Sequence, residues 1–149
     1  MNRPDPRALA THLCAWLLLR HVDGRILLGR RSGVDYADGL WGLPGGHAAV
    51  DETWADAAVR ETEEEVGVRV SVSDLVPLGV TRYLDGDVHG VDAFFETTSW
   101  VGDPRAVSEC SEVGWFAVDD LPPDVLPWLP PVLHAHLVEG AWLGEVLTP

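Results

Sequence analysis

Apolar residues fall in short blocks along most of this chain, and the spacing inside each block predicts its element. Two blocks come early, Leu13 to Arg20 and Arg25 to Arg30, split by His21-Val22-Asp23-Gly24. Asp-Gly supplies the positive φ of a tight turn, so the pair predicts a β-hairpin. Ahead of it, Met1 to Ala10, with Pro4 and Pro6, reads as an irregular N-terminal arm. Leu13 to Leu19 has no small-residue cleavage site after it and reads as a strand rather than a secretory signal. Ser32 to Gly46 holds five glycines and Pro44, too punctuated for helix or long strand, and reads as a loop.

From Thr53 to Val66 the period becomes that of a helix, with Thr53 as N-cap, Asp56 three residues on, and Gly67 as the stop. Ala55, Ala58, Val59, Thr62 and Val66 form a narrow buried face of mostly small residues, while Glu61, Glu64 and Glu65 project from another face. Val68 to Val72, Leu75 to Leu84 and His89 to Trp100 then read as strands, the last two joined at Asp85-Gly86-Asp87. A loop from Gly102 to Glu112 leads to a short strand at Val113 to Phe116. Pro130 and Pro131 open a terminal helix that runs to about Glu139 and ends at Gly140. This order predicts an α+β fold, with helices packed on a mixed or antiparallel sheet.

A length of 149 residues suits one domain, residues 1–149, around one sizeable core. The net charge of −14, from 24 acidic and 10 basic residues, disfavours nucleic-acid polymers and anionic membranes as partners. No apolar run approaches the ~18 residues of a membrane span. Two cysteines, Cys14 and Cys110, fit neither a disulfide scaffold nor a zinc site with paired thiolates, and point to a reducing, cytoplasmic setting. Seven tryptophans give scope for an aromatic interface, hence for a homodimer.

Much of the negative charge is concentrated in one helix and its approach: Asp51, Glu52, Asp56, Glu61, Glu63, Glu64 and Glu65, opposed there only by Arg60. Glu61, Glu64 and Glu65 stand at i, i+3 and i+4, a spacing that destabilises an isolated helix. A hard divalent cation such as Mg²⁺, which takes oxygen ligands, is the natural remedy. Gly45-Gly46 ahead of the helix lets a backbone carbonyl come close to such an ion.

Gly46, Glu52, Arg60-Glu61, Glu64-Glu65 and Gly67-Val68 together resemble the Nudix box, Gly-x5-Glu-x7-Arg-Glu-U-x-Glu-Glu-x-Gly-U with U apolar. Every fixed residue matches, and only Thr62, at the first U, departs. Leu40 to His47, Arg30-Arg31 and Trp115 to Pro122 are also similar to family members, so the resemblance covers most of the chain. It implies the Nudix fold, an α/β/α sandwich around a central mixed sheet. It further implies a MutT-like hydrolase that uses Mg²⁺ or Mn²⁺ to cleave the pyrophosphate bond of a nucleoside di- or triphosphate derivative by in-line attack of water.

Carried onto this chain, the resemblance makes Glu64, Glu65 and the Gly45 carbonyl metal ligands, with Glu61 completing the cluster or activating the water. Glu52 and Arg60 pair to brace the loop that carries Gly46. Glu109 or Glu112, with Glu112 preferred, supplies a further catalytic acid from a distant loop. Arg31 reaches a substrate phosphate, His47 approaches the substrate or metal water, and Tyr83, Phe94 and Phe95 are candidates to stack on a base. Two departures qualify the match. Ala49 and Asp51 stand where members commonly carry Glu and Gly, which motivates an alternative, a weak or inactive nucleotide-binding or regulatory module. Ala106 to Cys110 keeps only the cysteine of a stretch that members read as Glu-Pro-x-Lys-Cys, and no marker of a substrate subgroup follows the box.

Overall fold

A computed structural model describes residues 10–148; apart from Ala10, the expected N-terminal arm lies outside the described residues. The elements are β1 (Thr11–Leu19), β2 (Ile26–Arg31), β3 (Trp41–Gly42), β4 (Gly45–His47), α1 (Trp54–Val66), β5 (Val76–Asp85), β6 (Val88–Thr97), β7 (Cys110–Phe116), α2 (Leu129–Leu133) and β8 (Leu143–Thr148). Five strands form a mixed sheet in the order β4-β1-β6-β5-β8, and a second sheet runs β3-β2-β7. β1 is antiparallel to β4 and parallel to β6, and β5 is parallel to β8.

β1 explains the layering. Its apolar residues are continuous, the pattern of a strand covered on both faces. Cys14, Trp16 and Leu18 pack with Phe94, Leu129, Val132 and Leu133 on the α2 side, while Ala15, Leu17 and Leu19 pack with Ala57, Ala58 and Val66 of α1. The result is the expected α+β sandwich, a mixed sheet between helical layers. α1 begins where the Thr53 hydroxyl accepts the Asp56 N–H at 3.0 Å and ends at Gly67, whose φ of 74° places it in the left-handed region. Its contact line runs through Ala57, Ala58, Thr62 and Val66. The helix is therefore rotated slightly from the expected face, leaving Ala55 and Val59 half-buried.

Several elements differ from expectation. The turn at Gly24 forms, with His21 N–H donating to Arg25 O at 2.9 Å, yet β1 and β2 are not a hairpin. Only Arg20 and Ile26 pair, because each strand finds its ladder elsewhere, β1 between β4 and β6 and β2 between β3 and β7. Residues 68–72 are not a strand: Arg69 makes one bridge to Val101, and the alternation there serves to bury Val68 and Val70 beneath α1. The expected loop over 32–46 contains β3 and part of β4. The terminal helix runs from Leu129 to Val138 and stops before Gly140 as expected, but its second half, His134–Val138, is a wide π-type turn. β8 was not expected at all. The β5–β6 hairpin forms around Gly86 as predicted.

Candidate active site

Arg60 organises the approach to α1. Its Nε and Nη2 donate to the two carboxylate oxygens of Glu52 at 2.7 and 2.9 Å, and Nη2 also reaches the His47 carbonyl at 3.1 Å. Its Nη1 meets Glu61 Oε1 at 3.1 Å and Glu64 Oε2 at 3.3 Å. One guanidinium thus ties the loop, β4 and the helix together. The Arg60 pair and the Ala49 N–H, which donates to Glu52 Oε1 at 3.1 Å, hold the Glu52 carboxyl down at about 2.

The glycine pair brings backbone against carboxylate. Gly45 has φ 148° and lies so close to the Ala15 carbonyl of β1 that no side chain fits. At Gly46, a Cβ would stand 2.9 Å from the carboxyl carbon of Glu61. Gly45 N–H donates to Glu65 Oε1 at 3.4 Å. Burial and the neighbouring Glu61 carboxylate nevertheless push the Glu65 carboxyl well above the usual carboxylate range, while Arg31 opposes the rise. Two crowded carboxylates beside a close backbone are an all-oxygen donor set, and their surplus negative charge fits a hard divalent cation. Among the described residues, no three acidic, histidine or cysteine side chains already stand in a ready-made ligand cluster. Glu64 is one reason: its side chain is 55% exposed and turned to Arg60.

Glu61, Glu65 and the glycine pair form one end of a cleft of about 740 Å³. Arg31, His47, Tyr83 and Phe94 also line it. Arg31 Nε donates to the Tyr36 carbonyl at 3.0 Å, which points the guanidinium along the cleft wall. The His47 ring lies against His12, with Nε2 and Nδ1 2.8 Å apart. Phe95, by strand alternation, belongs to the opposite cluster beneath α1 and does not face the cleft. Of the two loop glutamates, Glu109 lines the cleft. Glu112, preferred from the sequence, instead faces Arg30 at 3.8 Å and lies outside the lining. Asp92 also lines the cleft, a residue that the sequence reading does not single out. Its signal was available: it is the one charged residue in the otherwise apolar run Val91 to Phe95.

A NUDIX domain family model matches residues 10–136. The MutT-like protein of Streptomyces ambofaciens is 35% identical over 100 residues, 66% of this chain and 59% of that protein. The RNA pyrophosphohydrolase of Erythrobacter litoralis is 29% identical over 155 residues, covering 91% and 93% of the two chains. The crystal structure of a MutT NUDIX hydrolase from Burkholderia pseudomallei superposes with a TM-score of 0.76 at 30% identity, over 86% of this chain and 98% of that one. The family match spans most of the chain and agrees with the mixed-sheet sandwich and the glutamate-bearing helix behind the glycine turn: this chain belongs to the Nudix family. Members of that family act with divalent metal ions. The chain spans 59% of the length of its Streptomyces relative.

Proposed function

We propose that this protein is a Mg²⁺-dependent pyrophosphohydrolase that cleaves the pyrophosphate bond of a small nucleoside di- or triphosphate derivative by in-line attack of water, a MutT-like activity. The observation that carries the reading is the crowding of Glu61 and Glu65 against Gly45-Gly46 at the mouth of an aromatic-lined cleft. Glu61, Glu64, Glu65 and the Gly45 carbonyl would hold the cation, Mg²⁺ or Mn²⁺. When bound, such an ion stabilises charge on the attacking and leaving oxygens.

The chain's own groups do the rest. Arg60 fixes Glu61 and the loop, and Glu52 fixes Arg60. Arg31 offers positive charge to a phosphate at the cleft wall. Glu109 is the cleft-lining carboxylate that can take the proton of the attacking water. Tyr83 offers its ring to the base in the apolar part of the cleft, backed by the buried Phe94. The acidic surface turns away nucleic-acid polymers and anionic lipid. Among the described residues no helix is long and apolar enough to cross a membrane, and the unpaired Cys14 and Cys110 agree with a cytoplasmic setting. A homodimer built on tryptophan would use Trp142, which is 61% exposed.

The non-catalytic alternative rested on Ala49 and Asp51, but the loop closes without the missing residues, since Ala49 N–H reaches Glu52 and Glu52 still holds Arg60. The test is mononucleotide release from a nucleotide panel with Mg²⁺, comparing wild type with Glu64→Gln. Turnover is expected in the wild type and only background in the variant. A wild type no faster than the variant on every substrate leaves the binding-module reading in its place.

A further inference from the structure

One group in the cleft is not used by the hydrolysis. Asp92 sits on β6 between Cys14 of β1 and Thr81 of β5, lines the same cleft as Glu61 and Glu65, and is only 6% exposed. Its Oδ1 is buried without a hydrogen-bond partner among the described residues. Trp16 Nε1, the nearby donor that favours its charged form, is unpartnered as well. Leaving a carboxyl in this state is costly, because the buried oxygen has given up its water and gained no donor in exchange. A ligand group that completes it would recover that cost.

The chemistry of the floor says what kind of group. His136 Nδ1 lies 2.7 Å from the Ala141 carbonyl, which only accepts, so Nδ1 carries the proton. With the proton on Nδ1, Nε2 is the ring nitrogen that can accept the hydroxyl hydrogen of Thr81, at 2.8 Å. Thr81, which also lines the cleft, is left with lone pairs to offer. Beside it stands Cys14, whose thiol is pushed up to about 12 by burial and stays protonated, a weak donor. The floor therefore offers Asp92 and Thr81 as acceptors beside the Trp16 N–H and the Cys14 thiol, and its walls are the rings of Tyr83 and Trp128, with Phe94 packed behind Trp128. It suits a flat ring whose leading edge carries adjacent N–H donors.

Guanine has such an edge, with N1–H beside the 2-amino group. Hypoxanthine keeps N1–H and lacks the amino group, while adenine turns an acceptor, N1, toward the same place. We propose that Asp92 selects the base of the substrate, its two carboxylate oxygens accepting N1–H and the 2-amino N–H of a guanine-type ring held between the aromatic walls. This rests on reading the cleft as a nucleotide site, and it assigns Asp92 a part in specificity, separate from the carboxylates that act on phosphate.

Equilibrium binding of GMP, IMP and AMP with Mg²⁺ at pH 8, where the Asp92 carboxyl is ionised, followed by tryptophan fluorescence, tests it without requiring turnover. GMP is expected to bind about 10-fold or more tightly than IMP, with AMP weaker again. Asp92→Asn, which keeps the shape, is expected to bring the three within about threefold of one another. N1-methyl-GMP, used on the wild type alone, is expected to lose about 10-fold, and serves even if the variant does not fold. Equal binding of the three nucleotides, no GMP binding, or an equal loss on all three in the variant overturns the proposal. Turnover separates the two readings. Hydrolysis indifferent to the base sinks the role of Asp92 and keeps the hydrolase, while GMP-selective binding without any hydrolysis does the reverse.

Discussion

An alanine at position 46 would bring its methyl to 2.9 Å from the carboxyl carbon of Glu61, the free end of a side chain that can swing away. Gly46→Ala is therefore expected to unfold like the wild type, within about 0.5 kcal/mol in urea. Its turnover should still fall, by about tenfold to 100-fold, because a displacement near 1 Å is enough to misplace a reacting group. Glu52→Gln acts one step further back. It removes the charge from the paired Arg60 contacts, and a 10–100-fold loss of Mg²⁺ affinity or activity is expected by titration, the usual effect of disturbing a group that holds a metal ligand. At this scale local helix spacing places Glu61, Glu64 and Glu65 on neighbouring turns, but only Glu61 and Glu65 line the cleft, while Glu64 faces Arg60. Glu109 and Glu112 were not separable in the same way. The β2–β7 register shifts between Gly29 and Arg31, and Glu109 takes a φ of 54°, so neither alternation nor counting shows which glutamate turns inward. Asp92 depended on Thr81 and Cys14, which only the sheet brings beside it.

α1 is the element that the sequence describes best, since its cap, stop and small-residue face are all local. Thr53→Ala removes the hydroxyl that accepts the Asp56 N–H and should cost about 1 kcal/mol in chemical denaturation. An unchanged midpoint would mean that the cap is not holding the first turn. The sheet was harder to read. β1 and β2 carry a turn that normally joins hairpin partners, but strand partners are chosen by which apolar faces remain uncovered, and that is decided across the whole chain. β3 and β4, with two and three residues, are too short for any periodicity to show. β8 pairs in parallel with β5 at the sheet edge, and its largely exposed residues leave no buried stripe to recognise.

Over the molecule as a whole, the buried acids set a pH dependence of opposite sign to that of Glu52. Burial raises Asp92 to about 7, so its contribution to stability is complete below the usual carboxylate pKa near 4 and is lost as pH rises through 7. Glu65 adds a loss of the same sign in metal-free protein. Glu52, held at about 2, contributes above the usual pKa and loses its contribution as pH falls toward 2. Thermal unfolding in EDTA should therefore show a lower melting temperature at pH 8 than at pH 5, and Asp92→Asn should narrow the gap. Mg²⁺ should raise the melting temperature more at pH 8, where the carboxylates that hold it are ionised. A melting temperature that is flat from pH 5 to 8 would show that these acids are solvated in the folded protein.

The parallel pairing of β1 with β6 also governs how the protein is made. β1, an interior strand of the main sheet, leaves the ribosome well before its parallel neighbour β6, which ends at Thr97, so its leucines stay without that pairing while the box is being made. A chain interrupted ahead of β6 carries a helix-capped box and an orphaned apolar strand, and should precipitate rather than fold. The box carboxylates precede β6 in the chain, but the sheet that α1 packs against comes into being only when translation is well past them.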